Sequence, residues 1–149
     1  MYISLQFKLH IDDSSKQKLL ELMRKQSSAI RSAYKMLKDK IPPKDIYRSL
    51  RDRYPELPSR YIDSVIYKAS QYKASEKVIF GGRKLFEKLC KNHLQGKQRE
   101  KLIKKWRERR QGNLISVGSK TDKGNRLTRF EYLNDQLCLR ITVGNREFI

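Results

Sequence analysis

The sequence predicts an α+β fold: a small antiparallel sheet or barrel with a helical lobe inserted between its first and second strands. Three observations carry that expectation. Apolar residues alternate strictly with polar ones from Met1 to Ile11, the period of a half-buried strand. From Asp12 to Gly112 apolar residues recur at helical spacing, with breaks at Pro42-Pro43, Pro55, Pro58 and Gly96. After Gly112 the chain turns to short strand-like runs joined by residues that favour hairpins.

Taken in order, Met1, Ile3, Leu5, Phe7, Leu9 and Ile11 share one face of the first strand. Asp12-Asp13-Ser14 opens a helix, with Ser14 and Gln17 spaced as a capping box. Leu19, Leu22, Met23, Gln26, Ile30, Ala33, Tyr34 and Leu37 continue it until Pro42-Pro43 stops the pattern. A short helix from Pro43 to about Arg53 follows, since proline suits a first helical position. Ser59 is placed to cap a third helix with the stripe Ile62, Val65, Ile66, Ala69 and Tyr72. Val78–Gly82 reads as a brief extended segment, and helical signals resume at Arg83. A further helix runs from Lys97 to Arg110, with Gly112 as its C-terminal stop. Strands are expected at Leu114–Val117, Arg126–Leu133, Gln136–Val143 and Arg146–Ile149. Their connectors, Asp122–Asn125, Asn134-Asp135 and Gly144-Asn145, have hairpin chemistry. The predicted organisation is a β wedge or barrel from residues 1–12 and 113–149. Residues 13–112 form the inserted helical lobe, including the basic helix 97–110.

Charge narrows the possible partners. The 149 residues carry 35 Lys+Arg against 16 Asp+Glu, a formal net charge of +19. Such a surplus repels itself and favours a strongly anionic partner, of which nucleic acid is the commonest. The aromatic content argues against a disordered basic tail. Cys90 and Cys138 lack the spacing of a disulfide framework or a zinc finger. No signal peptide or membrane span is legible, so the expected location is cytoplasmic, associated with a prokaryotic nucleoid.

The bases are concentrated. Between Arg83 and Arg110 twelve of them face only Glu87, Glu100 and Glu108, a net +9 in 28 residues. A solvated helix normally mixes signs to gain pairs one turn apart, so this segment reads as a phosphate-binding surface. The candidate contacts are Arg83, Lys84, Lys88, Lys91, Lys97, Lys101, Lys104, Lys105, Arg107, Arg109 and Arg110. Only Leu102, Ile103 and Trp106 give helix 97–110 an apolar edge, and Trp106 reads as its anchor. A second basic group decorates the hairpins: Lys120, Lys123, Arg126 and Arg129, with Arg140 and Arg146 nearby. Among them Tyr132 is a candidate for base stacking, whereas Phe130 reads as a core residue. Tyr61, Tyr67 and Tyr72 read as residues at the boundary between core and solvent.

Nothing in the sequence supplies catalytic chemistry. Asp12 and Asp13 suit a helix N-terminus, the other acids are scattered, and His10 and His93 lack partners. No phosphate-cradling loop, nucleophile triad or metal-ligand cluster is present, so no metal, cofactor or enzymatic activity is expected.

The order of motifs resembles the N-terminal part of the TnpB/OrfB transposon proteins. The resemblance is carried by Val78-Ile79-Phe80-Gly81-Gly82-Arg83-Lys84-Leu85-Phe86, the basic helix, Lys123-Gly124-Asn125-Arg126 and Leu137-Cys138-Leu139-Arg140-Ile141. The start, Tyr2 to Leu37, is similar as well. That family comprises RNA-guided DNA endonucleases related to type V CRISPR effectors, with an N-terminal wedge-like barrel and an inserted recognition lobe. The resemblance implies a grip on guide-type RNA and DNA through backbone and shape. The family cuts with a RuvC-like domain and a zinc ribbon that lie beyond the matching region, so cleavage would belong to a domain or chain other than these residues. The alternative from the residues alone is a DNA-binding transposase accessory or regulator that needs no guide.

Overall fold

The computed structural model describes residues 8–72, 86–87, 96–119, 124–144 and 146–149. Its elements are α1 (Asp13–Lys38), α2 (Pro43–Arg53), α3 (Ser59–Ser70), α4 (Lys97–Gln111), β1 (Thr128–Leu133), β2 (Gln136–Gly144) and β3 (Glu147–Phe148). The class is α+β with a small antiparallel sheet, in the order β1-β2-β3. The described strands form an open sheet rather than a barrel, since three strands, one only two residues long, are too few to close. Most of the expected first strand lies outside the described residues. Residues 8–11 take no regular structure, and the helix cap follows at Asp12.

That cap corrects the expected capping box. Asp12, not Ser14, caps α1, its carboxylate accepting from the Ser15 N–H at 2.9 Å. Hydrogen bonding from the Ser15 hydroxyl, and then from the Ser15 N–H, lowers the Asp12 carboxyl pKa from the usual aspartate value. At its other end α1 stops at Lys38, short of Pro42, where Lys40 takes a left-handed φ of 60°. α2 occupies the expected span, with Pro43 in its first turn. α3 begins at Ser59, but Pro58 is the cap residue and no side-chain cap bond forms.

One core joins the three N-terminal helices. α1 contributes Leu22, Ala29, Ile30 and Ala33 at helical spacing, and both alanines are fully buried, which lets α3 approach closely. α2 is tied down by Ile46 and Leu50, each fully buried and each contributing about 1.5–3 kcal/mol through removal from water. Tyr61 of α3 corrects the expectation of a boundary residue. It is fully buried, and its hydroxyl donates to the Thr142 carbonyl of β2 at 2.8 Å. Burial pushes its pKa up, so the phenol stays a neutral donor that joins helices to sheet. Leu127 and Ile141 bring the sheet into the same core.

Residues 113–119 also depart from expectation: Leu114–Val117 is not a strand. The segment crosses the helices, and helix side chains satisfy its backbone. Gln26 of α1, wholly buried, donates to the Ile115 carbonyl at 2.6 Å and accepts from the Ile115 N–H at 2.7 Å. The Val117 N–H reaches the Ser64 hydroxyl of α3 at 3.2 Å. A lone bridge between Ser119 and Gly124 leads to Asn125, whose side-chain oxygen accepts from the Ser116 hydroxyl and from Leu127 and Thr128 N–H. β1 and β2 are joined at Asn134-Asp135, whose φ values of 49° and 61° make the mirror-image turn that matches strand twist.

Strand register explains another correction. Residues directly opposite in an antiparallel pair share a face. Phe130 opposes Leu139, and Tyr132 opposes Leu137, so these four lie with Ile141 on one face. Only the Ile141 end is buried. Phe130 is 54% exposed and Tyr132 75%, because the hairpin tip runs beyond the helices. Phe130 is therefore not a core residue.

Candidate nucleic-acid interface

α4 contains eight bases against Glu100 and Glu108. Lys97, Lys101, Lys104 and Lys105 stand at positions i, i+4, i+7 and i+8, one face of a helix, and all four are exposed. Among the described residues none of the four has an acid within ion-pair distance. The helix buries no residue completely. It leans on α1 by an edge that includes Ile103 and Trp106, both half-buried. Trp106 stacks on Phe86 with ring centroids 4.6 Å apart and carries the Arg110 guanidinium 5.7 Å from its centroid. The single tryptophan thus acts as the expected anchor.

The C-terminal end of α4 is docked more firmly. The Gln111 side chain donates to the Leu20 carbonyl of α1 at 2.6 Å and accepts from Arg24 Nε at 3.0 Å. Gly112 then ends the helix at φ 67°, packed so tightly that a Cβ there would lie 2.8 Å from both Cβ and Oγ of Ser27. Gly112→Ala combines a disfavoured left-handed backbone with a buried clash. It is expected to lower stability by about 2–4 kcal/mol, read as a shifted urea midpoint. A midpoint within error of the parent would show that α4 docks otherwise.

Docking creates a cleft of about 470 Å³ between α1 and α4, lined by Arg24, Ser28 and Arg31 of α1 and by Trp106, Arg107, Arg110 and Gln111 of α4. No acid lines it among the described residues. Arg31 donates to the Ser27 hydroxyl at 2.9 Å. Burial first, and then the nearby Arg110 charge, lower its pKa from the usual arginine value. The acids gather elsewhere on α1. Lys18 pairs with Glu147 of β3 at 2.8 Å, and Lys25 pairs with Glu21 at 2.8 Å and Glu56 at 3.7 Å. Among the described residues charge is therefore segregated: mixed signs toward the sheet, and arginines but no acid lining the cleft with α4.

Of the residues singled out in sequence, Lys97, Lys101, Lys104, Lys105, Arg107, Arg109 and Arg110 share α4. Arg83, Lys84, Lys88, Lys91, Lys120 and Lys123 lie outside the described residues. The hairpin group does not stay together. Arg126 lines a separate cleft with Arg60 and Tyr67 of α3. Arg129 pairs with Glu131 at 3.6 Å, on the face opposite Phe130 and Tyr132. Arg140 shares Glu131 at 3.7 Å and packs 3.7 Å from the centroid of the Phe148 ring. Arg129 and Arg140 stand opposite each other on one face of the sheet, while Arg126 precedes β1 and lies apart beside α3. Sequence reading missed Arg24 and Arg31, which lie in a helix of mixed charge. Only their spacing of seven, two turns on one side of α1, hinted at them.

No group of three or more His, Cys, Asp or Glu residues that could hold a metal occurs among the described residues. No described helix is long and apolar enough to cross a membrane.

Together the fold and its charge define a basic α+β domain with an exposed, acid-poor helix docked on a three-helix core. Residues 2–149 match the SSO2105 N-terminal domain, and the chain belongs to that family. No curated protein and no solved structure matches it.

Proposed function

We propose that this domain is a nucleic-acid-binding module that holds a phosphate backbone along the outward face of α4 and performs no cleavage itself. The observation that carries the reading is the row Lys97, Lys101, Lys104 and Lys105, exposed on one helix face without an acid at ion-pair distance among the described residues. Four unneutralised charges along one face of a helix suit a polyphosphate, where each contact releases a condensed counterion. Arg107, Arg109 and Arg110 extend the same helix toward α1. Tyr132, exposed at the hairpin tip, offers a ring on which a base can stack.

A narrower form of the proposal is a module of a TnpB/OrfB-like system that grips guide-type RNA and target DNA beside a RuvC-like nuclease domain or chain. It is supported by the order of motifs along the chain and by a small sheet placed next to a helical lobe. The rival is a guide-independent DNA-binding accessory or regulator, favoured by the same charge without the motif order. Binding of a structured RNA and of a duplex DNA of matched length, measured across a salt series, decides among these. The log of affinity should fall against the log of salt with a slope of at least about −3, from four contacts at roughly 0.7–0.9 each. A flat response removes the nucleic-acid proposal altogether, and a preference for duplex DNA by orders of magnitude removes its guide-RNA form.

A further inference from the structure

We propose that the cleft between α1 and α4 is a seat for a doubly charged phosphate group, a phosphomonoester or a diphosphate, separate from the outward lysine row. Four arginines, Arg24, Arg31, Arg107 and Arg110, line one concavity of about 470 Å³ without an acid among the described residues. That volume falls within the range of small-ligand pockets, roughly 300–1,000 Å³.

The manner in which the arginines are held separates this cleft from an ordinary basic surface. Arg24 is oriented by the Gln111 carbonyl oxygen, and Gln111 is itself fastened to the Leu20 carbonyl. Arg31 is oriented by the Ser27 hydroxyl, and Arg110 rests over the Trp106 ring. These partners are neutral. For Arg24 and Arg31 they fix the direction of the guanidinium without supplying a countercharge. Arg140 on the sheet shows the usual alternative, with Glu131 as a carboxylate partner. Arg31 is half-buried, and its charged form is disfavoured by burial and by Arg110. An anion in the cleft relieves both effects, since it supplies the missing countercharge and accepts the exposed N–H groups.

The geometry favours a terminal phosphate over an internal phosphodiester. A phosphodiester carries one charge and must continue as chain on both sides. A terminal group has up to two charges and three free oxygens, and it can enter a concavity end-on. Two sources supply that chemistry. One is the phosphorylated end of a strand held by α4, in which case the seat rests on the proposed function. The other is a free diphosphate, in which case it does not.

Trp106 is the only tryptophan in the chain, so its fluorescence reports from the cleft. Inorganic pyrophosphate, titrated at constant ionic strength, should produce a saturable change. In parallel, one single-stranded oligonucleotide is compared with a 5′-phosphate, a 3′-phosphate or neither, by fluorescence anisotropy. A phosphorylated end should tighten binding about tenfold, the gain from a charge-assisted hydrogen-bonded contact. Arg31→Gln, and Arg24→Gln at an exposed position that leaves folding intact, should each weaken pyrophosphate binding by about the same factor. Neither should alter the affinity of the hydroxyl-ended strand by more than about twofold, since the outward lysine row is untouched.

No pyrophosphate response together with no end preference overturns the proposal, as does a response that survives both substitutions. A response without an end preference assigns the seat to a free diphosphate. If the hydroxyl-ended strand does not bind at all, the nucleic-acid function fails, while the pyrophosphate titration still decides the cleft.

Discussion

Gln26→Leu is expected to destabilise the domain by about 2–4 kcal/mol, a large share of the stability of a chain this size. Leucine matches the volume of glutamine closely, so the loss does not come from a cavity. It comes from Ile115, whose N–H and carbonyl both bond to the Gln26 amide, at 2.7 and 2.6 Å. Gln26 is wholly buried on α1, and among the described residues Ile115 has no backbone hydrogen-bond partner to take its place. Removing the amide strands two backbone groups away from water, each at about 1–3 kcal/mol. The segment is also the route from α4 into the sheet, so its release should loosen β1 and β2. Urea denaturation followed by circular dichroism gives the magnitude. Amide exchange at Ile115 shows the site, with protection lost there first. A Gln26→Leu protein as stable as the parent would mean that the segment finds other partners.

The second large effect concerns binding. Changing Lys97, Lys101, Lys104 and Lys105 together to glutamine should weaken nucleic-acid affinity by roughly 10²–10³-fold near 0.1 M salt. It should also reduce the magnitude of the salt slope by about three. The estimate assigns each lysine one phosphate contact. Glutamine is a good helix former, and these side chains are exposed without described acidic partners, so the fold should persist and lose some self-repulsion. Retained stability with lost binding separates a phosphate surface from a structural helix. A quadruple variant that binds as tightly as the parent would place the interface off the outward face of α4. Arg24→Gln and Arg31→Gln, on a different helix, serve as the contrast.

The parts of the structure that were legible share a physical origin. α2 begins where a proline suits a first turn, and α4 ends at a glycine that tolerates positive φ. The β1–β2 turn falls on Asn134-Asp135, two residues that accept a left-handed backbone. The basic row of α4 could be counted because helical period alone places Lys97, Lys101, Lys104 and Lys105 together. In each case the cause acts within a few residues of chain.

What was not legible depends on partners distant in sequence. Leu114–Val117 has the composition of a strand, yet its hydrogen bonds go to Gln26 and Ser64, side chains with no signature of that role. Tyr61 looked like a boundary residue because its hydroxyl needs a partner, and the partner is Thr142, 81 positions away. Phe130 sits on the apolar face of β1 but is exposed, since the helices beneath end before the hairpin tip.

The sequence by itself determined the α+β class, the position of α2 and α4, the two-residue turn and the surplus of positive charge. All of these follow from local sterics, periodicity and composition. The tertiary structure alone decided which charges come together. Packing α4 against α1 faces arginines of two distant segments across one cleft, while Lys18 and Lys25 of α1 meet Glu147 and Glu56 on another side. Electrostatic interaction depends on distance in space, and order along the chain does not specify that distance until the helices are packed.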